Sequence, residues 1–292
     1  MKLTITGYST ALFSTWFFVD ELNLLFDAGD GLTSGLLGKS GKIKNVFISH
    51  ADRDHLMGLF QFNQLNARKG YPIIHYPKDC GSFPALKAFS EKFDPQISEI
   101  TWKGIQSMDE IPTKDGVIVQ AIRNEHVIAP VDSYKSLSYK VFETKRKLRT
   151  ELQTSSKEEI RKIATEKGSD FVSQEIRKNI FSFSGDTPIS TPDMWNNSEI
   201  LIHEATFIES IDQGNVSPHG NKHSTLEQVL EMVTHTNVEQ LILSHFSSRY
   251  SSEQIDKSIR SLCTKFNIKI PVRRILPGTI HRNILNQTPI NE

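Results

Sequence analysis

Residues 49–55 read SHADRDH, two histidines and two aspartates in six positions, directly after the apolar run Val46–Ile48. Imidazole and carboxylate groups are the side chains that zinc, iron and manganese take as ligands. On an extended segment, positions 50, 52 and 54 point to one side. His50, Asp52 and Asp54 are therefore expected to converge, with His55 beside them. By itself such a cluster also reads as a polar surface loop. Three residues elsewhere favour metal: His126, Asp186 and His245 each lie at the end of a short apolar run. Together they predict a metal site along one rim of a sheet.

Those residues need elements to hold them. Leu3 and Ile5 alternate towards Gly7, and LNLLFDAGDG at 22–31 closes on turn residues, which predicts an opening β-hairpin. IKNVFISH at 43–50 reads as a strand. Leu56, Leu59, Phe60, Phe62 and Leu65 have helical spacing in a segment that ends at Gly70, so the ionisable motif occupies a strand-to-helix loop. Binding and catalytic residues concentrate on such loops. YPIIHYP, DGVIVQAIRNEH and SLSYKVFE predict further strands, and FPALKAFSEKF a helix. Residues 144–179 are highly charged with few core positions, which predicts a surface insertion that is helical in part. Strands IFSFSGDT, EILIHEAT and QLILSHFSSRY follow, with the helix STLEQVLEMVTH between the last two. Alternating strands and helices place the chain in the α/β class.

Its 292 residues, 37% hydrophobic and 23% charged, can bury a core without staples. No low-complexity linker divides them, so one domain over 1–292 carrying the 144–179 insertion is expected. Lysine plus arginine (34) balances aspartate plus glutamate (34), which leaves no global field to draw in a polyanion. Nucleic-acid binding would have to use local patches. Cys80 and Cys263 are too few and too far apart for a disulfide framework or a zinc knuckle and fit a reducing, cytoplasmic setting. The opening apolar stretch is broken by Gly7, Asp20, Glu21 and Asn23, so neither a signal peptide nor a membrane span is expected.

The motifs run in a recognisable order: DAGDG, then the cluster at 50–55, NEH at 124–126, SGDT at 184–187, HEAT at 203–206, HST at 223–225 and LSHFSSRY at 243–250. In this order the chain resembles the metallo-β-lactamase superfamily, and within it the ribonuclease Z family of transfer-RNA 3′-processing endonucleases. The cluster and SGDT mark the superfamily, whereas HEAT, HST and HFSSRY are specific to ribonuclease Z.

The resemblance implies an αββα four-layer sandwich and a two-metal site. His50, Asp52 and His126 would hold one ion; Asp54, His55 and His245 would hold the other; Asp186 would bridge. Asp54 would also orient or deprotonate the attacking water, and Glu204 with His223 would deliver a proton to the leaving 3′ oxygen. Two divalent ions, zinc first, are implied, with precursor transfer RNA as substrate and a homodimer as the assembly. Asp52 departs from the family, whose motif has histidine there. A harder oxygen ligand favours iron or manganese over zinc, and carboxylates at this position are also found in the diiron flavoprotein branch. A weakened first site is the alternative. His203 is expected to pack near the site without binding metal; His75, His219, His235 and His281 fit none of the motifs and are read as structural. Ser247 and Arg249 are left out of the site.

Residues 144–179 lie where one class of ribonuclease Z carries an arm for the transfer-RNA elbow. Lys145, Arg146, Lys147 and Arg149 form a basic knot suited to phosphates, although Glu151, Glu158, Glu159 and Glu166 dilute it. The competing functions are hydrolysis of a small phosphodiester or another ester, and a non-catalytic role with a partly filled site.

Overall fold

The computed structural model describes residues 1–114, 116–209 and 222–292. Its first sheet has six strands in sequential order: β1 (Ile5–Thr10), β2 (Ser14–Val19), β3 (Leu24–Phe26), β4 (Asn45–Phe47), β5 (Ile73–Pro77) and β6 (Thr101–Ile105). The opening hairpin is β1–β2; the run expected as its second arm is β3, which pairs antiparallel with the outer side of β2. From β3 to β6 the pairing is parallel.

The second sheet is built alike. Strands β7 (Glu110–Lys114), β8 (Val117–Arg123), β9 (Leu137–Leu148) and β10 (Ser173–Phe183) form an antiparallel meander. Parallel strands β11 (Ser198–Glu204), β12 (Val238–Ser244) and β13 (Val272–Arg274) extend it.

Side-chain alternation decides the layers. In β3, Leu24 and Phe26 enter the core between the sheets, while Leu25 faces outward. In β12, Ile242 faces the other sheet and Leu241 and Leu243 face away. Phe26 lies among Phe47, Tyr139, Phe181 and Phe183, with ring centroids 5.0–5.9 Å apart. This aromatic layer joins the two sheets.

Helices cover both outer faces. α1 (Leu32–Gly35), α2 (Arg53–Leu56), α3 (Leu59–Asn66) and α4 (Ser82–Ser90) press Leu32, Leu56, Leu59, Phe62 and Phe83 onto the first sheet. The helix expected to run to Gly70 is thus split into α2 and α3 and ends at Asn66. On the second sheet, α7 (Leu226–Thr234) and α8 (Ser252–Lys265) bury Val229, Leu230, Ile255 and Ile259. Both start with reciprocal capping boxes, Thr225 with Gln228 and Ser251 with Gln254. The result is a four-layer αββα sandwich.

Residues 144–179 leave the sandwich as a ribbon. β9 and β10 stay paired from Tyr139–Phe183 out to Leu148–Ser173, and beyond them lie α5 (Lys157–Lys167) and α6 (Ser169–Val172). No residue of α5 is buried. The expected helix is present, but both ends of the segment are strand.

Candidate metal centre

Candidate ligands meet at the carboxyl ends of strands from both sheets. His50 follows β4; His126, Asp186 and His245 follow β8, β10 and β12; Glu204 is the last residue of β11. The alternation expected over 50–54 is not how the cluster converges. The chain turns into α2 at Arg53, so Asp54 and His55 share a helical turn and Asp52 sits at its N-cap. Aspartate there commonly bonds a helix amide, yet Asp52 makes no side-chain cap bond. Its Oδ2 lies 3.5 Å from Nε2 of both His50 and His126.

Two triads result: His50 with Asp52 and His126, and Asp54 with His55 and His245, the ligand atoms of each within 4.8 Å of one another. Asp186 stands between them. Its Oδ2 is 3.7 Å from His50 Nε2 and 3.3 Å from Nε2 of both His55 and His245. Asp54 Oδ2 is 3.4 Å from His55 Nε2, 3.3 Å from His245 Nε2, and accepts the Leu12 N–H at 3.0 Å.

Each central histidine commits Nδ1 to the protein. The partners are Ser49 Oγ for His50 (2.9 Å), Asp27 Oδ2 for His55 (2.7 Å), the Lys222 carbonyl for His126 (2.8 Å) and Thr206 Oγ1 for His245 (2.9 Å). All four Nε2 atoms are thereby turned into the site. Those of His50 and His126 are buried without a well-formed hydrogen bond among the described residues. Leaving a buried polar atom so costs about 1–3 kcal/mol, a cost that a coordinated cation removes.

Electrostatics point the same way. Burial lowers the pKa of His50, as do the neighbouring His55 and His126, so its lone pair is available. Burial also opposes charge on His55, but Asp186, Asp54 and Asp27 outweigh it and raise that pKa well above the ordinary value. Three carboxylates around one imidazole thus call for positive charge at the centre. Donor set, orphaned nitrogens and charge all fit divalent metal.

A second constellation adjoins it. His223 Nδ1 lies 3.0 Å from Glu204 Oε1 and 3.9 Å from Asp186 Oδ2. Burial works against the charged imidazole, but the Glu204 carboxylate outweighs it and lifts the His223 pKa to about 9. Glu204 is fixed by the Thr187 N–H at 2.7 Å and the Thr206 hydroxyl at 2.5 Å.

Positive φ is found at Asp27 (55°), Gly185 (58°) and His245 (62°), and also at Leu12 (69°), whose N–H bonds Asp54. Left-handed backbone at a non-glycine residue costs of order 1–3 kcal/mol and clusters at functional sites. At Gly185 a Cβ would lie 2.7 Å from that of Ser49, so both conformation and space require glycine.

Ser49, Asp27 and Thr206 are part of this site but carry no role in the sequence reading. Asp27 Oδ1 accepts the Ser49 N–H at 2.7 Å, and Oδ2 accepts the Ser49 hydroxyl at 2.8 Å as well as His55. The motifs DAGDG and HEAT were the available signals. His203 is buried against Trp195, its Nδ1–H donating to the Glu204 carbonyl at 2.7 Å. His75 stacks on Phe47, His281 bonds Gln287, and His235 ends α7, all outside both triads. His219 lies outside the described residues. Arg249 and Ser247 bond one another at 3.1 Å.

No family model matches the chain. It is 27% identical over 257 residues to ribonuclease Z of Archaeoglobus fulgidus, which covers 79% of each chain. Among solved structures, the metallo-β-lactamase fold protein YhfI of Bacillus subtilis superposes with a TM-score of 0.63 at 12% identity, covering 96% of this chain and 100% of that one. The short form of human tRNase Z superposes at 0.60 with 15% identity, covering 96% and 99%.

Proposed function

We propose, from the premise that this chain is a ribonuclease Z relative on the metallo-β-lactamase fold, that it is a metal-dependent phosphodiesterase removing the 3′ trailer of precursor transfer RNA by endonucleolytic cleavage. The observation that carries the reading is the His223–Glu204 pair, with His223 Nδ1 3.0 Å from Glu204 and 3.9 Å from Asp186, the residue shared by the two ligand triads. A ribose 3′ oxygen leaves as a strong base and benefits from a positioned acid, whereas a weakly basic leaving group such as nitrophenolate has little need of one.

His50, Asp52 and His126 would hold one divalent ion, Asp54, His55 and His245 a second, with Asp186 shared. Zinc is the first expectation, and the Asp52 oxygen widens the choice to iron and manganese. Bound there, such ions would polarise the phosphoryl oxygens and lower the pKa of water. Asp54, fixed by the Leu12 N–H, would orient the attacking water or accept its proton. His223, kept protonated by Glu204, would donate a proton to the leaving oxygen.

The 144–179 ribbon would act as an arm on the RNA within one domain spanning 1–292. A cytoplasmic homodimer belongs to the same reading. No helix among the described residues is long and apolar enough to cross a membrane. Metal analysis of protein never exposed to chelator, combined with cleavage of a precursor transfer RNA and of a nitrophenyl phosphodiester, tests the proposal. Near two metals per chain and cleavage at the trailer are expected. One metal or none, or hydrolysis of the small diester alone, would overturn it.

A further inference from the structure

On the Asp52 side the metal centre opens into a cavity of about 290 Å³ that the two triads leave unused. Asp52, Asp79, Cys80 and Gly81 form one wall; Val127 and Lys135 form the other. In the first wall Asp52 lies between β4 and α2 while residues 79–81 follow β5; the second wall belongs to the loop between His126 and β9. Both are held in place. Asp79 Oδ2 accepts the Tyr134 N–H at 2.8 Å, and Cys80 Sγ donates to the Lys135 carbonyl at 3.3 Å. From behind the loop, the Arg123 guanidinium donates to the carbonyls of Ala129, Pro130, Val131 and Ser133. The cavity is therefore preformed.

Gly81 says what the space is for. Its backbone (φ −64°, ψ −16°) is one that any residue adopts, and a Cβ there would meet nothing within 4 Å. Neither conformation nor packing calls for glycine, so its effect is to keep the cavity open. Position 52 acts in the same sense, because a carboxylate is smaller than an imidazole. Lys135 is exposed and is the one cation of the lining. The Asp79 carboxylate, by contrast, is engaged by the Tyr134 amide.

We propose that this cavity is a substrate subsite: it takes the nucleotide joined to the scissile phosphate, and Lys135 pairs with that nucleotide's own phosphate. Its volume is at the lower end for small-ligand pockets, and Asp52 belongs both to the first triad and to the cavity wall. The inference rests on the phosphodiesterase reading and adds where the strand leaves the metal centre.

Binding of a hydrolysis-resistant oligoribonucleotide, with phosphorothioate at the scissile position, would be measured on the metal-loaded protein, on Lys135→Ala and on Gly81→Leu. Metal content and thermal unfolding would confirm that each variant is intact. Both variants are expected to weaken binding about tenfold. Lys135→Ala is also expected to flatten the slope of log K against log salt by about 0.7, the loss of one single-strand phosphate contact; Gly81→Leu, which only fills space, should leave the slope as it was. Parent protein that binds the oligonucleotide while neither variant weakens it would overturn the subsite alone. Parent protein that does not bind it would overturn the subsite and the phosphodiesterase reading together.

Discussion

Glu204 and His223 make the sharpest chemical prediction at the level of single residues. A positioned general acid contributes about a hundred- to ten-thousand-fold when the leaving group is strongly basic. His223→Ala and Glu204→Ala are expected to lose that much in cleavage of RNA and far less with a nitrophenyl phosphodiester, whose leaving group needs little protonation. The double variant should lose little more than either single one, because the residues act as a pair 3.0 Å apart. Kinetics with both substrates, at matched metal content, decide it. Asp27 makes a second prediction. Its carboxylate holds His55 Nδ1 and both donors of Ser49, and such outer partners are worth about 10–100-fold in metal affinity. Asp27→Asn should weaken binding of the ion held by His55 by that factor in a competition titration with a chelator. At this scale the sequence shows side chains that could touch metal, since imidazole and carboxylate declare themselves at strand ends. It conceals Asp27, Ser49 and Thr206, whose roles depend on which nitrogen of a distant histidine they meet.

Secondary structure was legible where one face is buried. Runs such as VIVQAIR and LILS alternate or stay apolar, and they are β8 and part of β12. The outer halves of β9 and β10 were not legible, because a two-stranded ribbon bathed on both faces has no hydrophobic alternation to display. That ribbon also changes what its basic knot can do. Lys145 pairs with Glu143 at 2.9 Å, Arg146 with Asp170, and Arg149 donates to the Asp170 carbonyl. No pairing of Lys147 is found among the described residues. Lys147→Ala is therefore expected to raise KM for precursor RNA and flatten its salt dependence, without altering hydrolysis of a small diester. Arg146→Ala should loosen the far end of the ribbon, seen as faster hydrogen exchange over 157–172. Loss on the small substrate in either variant would mean that the fold was damaged.

Stability of the whole molecule carries a titratable signature outside the two ligand triads. His75 belongs to β5, buried beside its β4 neighbour Phe47 with ring centroids 4.5 Å apart, its Nε2–H donating to Asn45 Oδ1 at 3.1 Å. Burial, with a smaller push from Lys103, lowers its pKa to about 3. An unfolded chain restores the ordinary value of about 6.5, so between these limits the unfolded state binds the extra proton. Stability should then rise with pH across about pH 3 to 6.5, by up to about 1.4 kcal/mol per unit from this residue. Urea unfolding of chelator-treated protein measures the slope, and His75→Gln should flatten it within that window. An unchanged slope would mean that His75 is protonated in the fold.

Ligands to the centre come from both sheets, four from the loop after β4 and three from the ends of β8, β10 and β12. Between the sheets lies an oily, aromatic interior, and both cysteines are free, so no covalent bond bolts one layer to the other. Cations seated across that seam would act as rivets: neither layer could slide or peel without breaking coordination. At a free concentration a hundred times the dissociation constant, one such ion adds about 2.7 kcal/mol. Chelation should lower the melting temperature and speed proteolysis as well as stop cleavage, and restored metal should reverse all three. Turnover of the polypeptide itself would then follow the supply of metal.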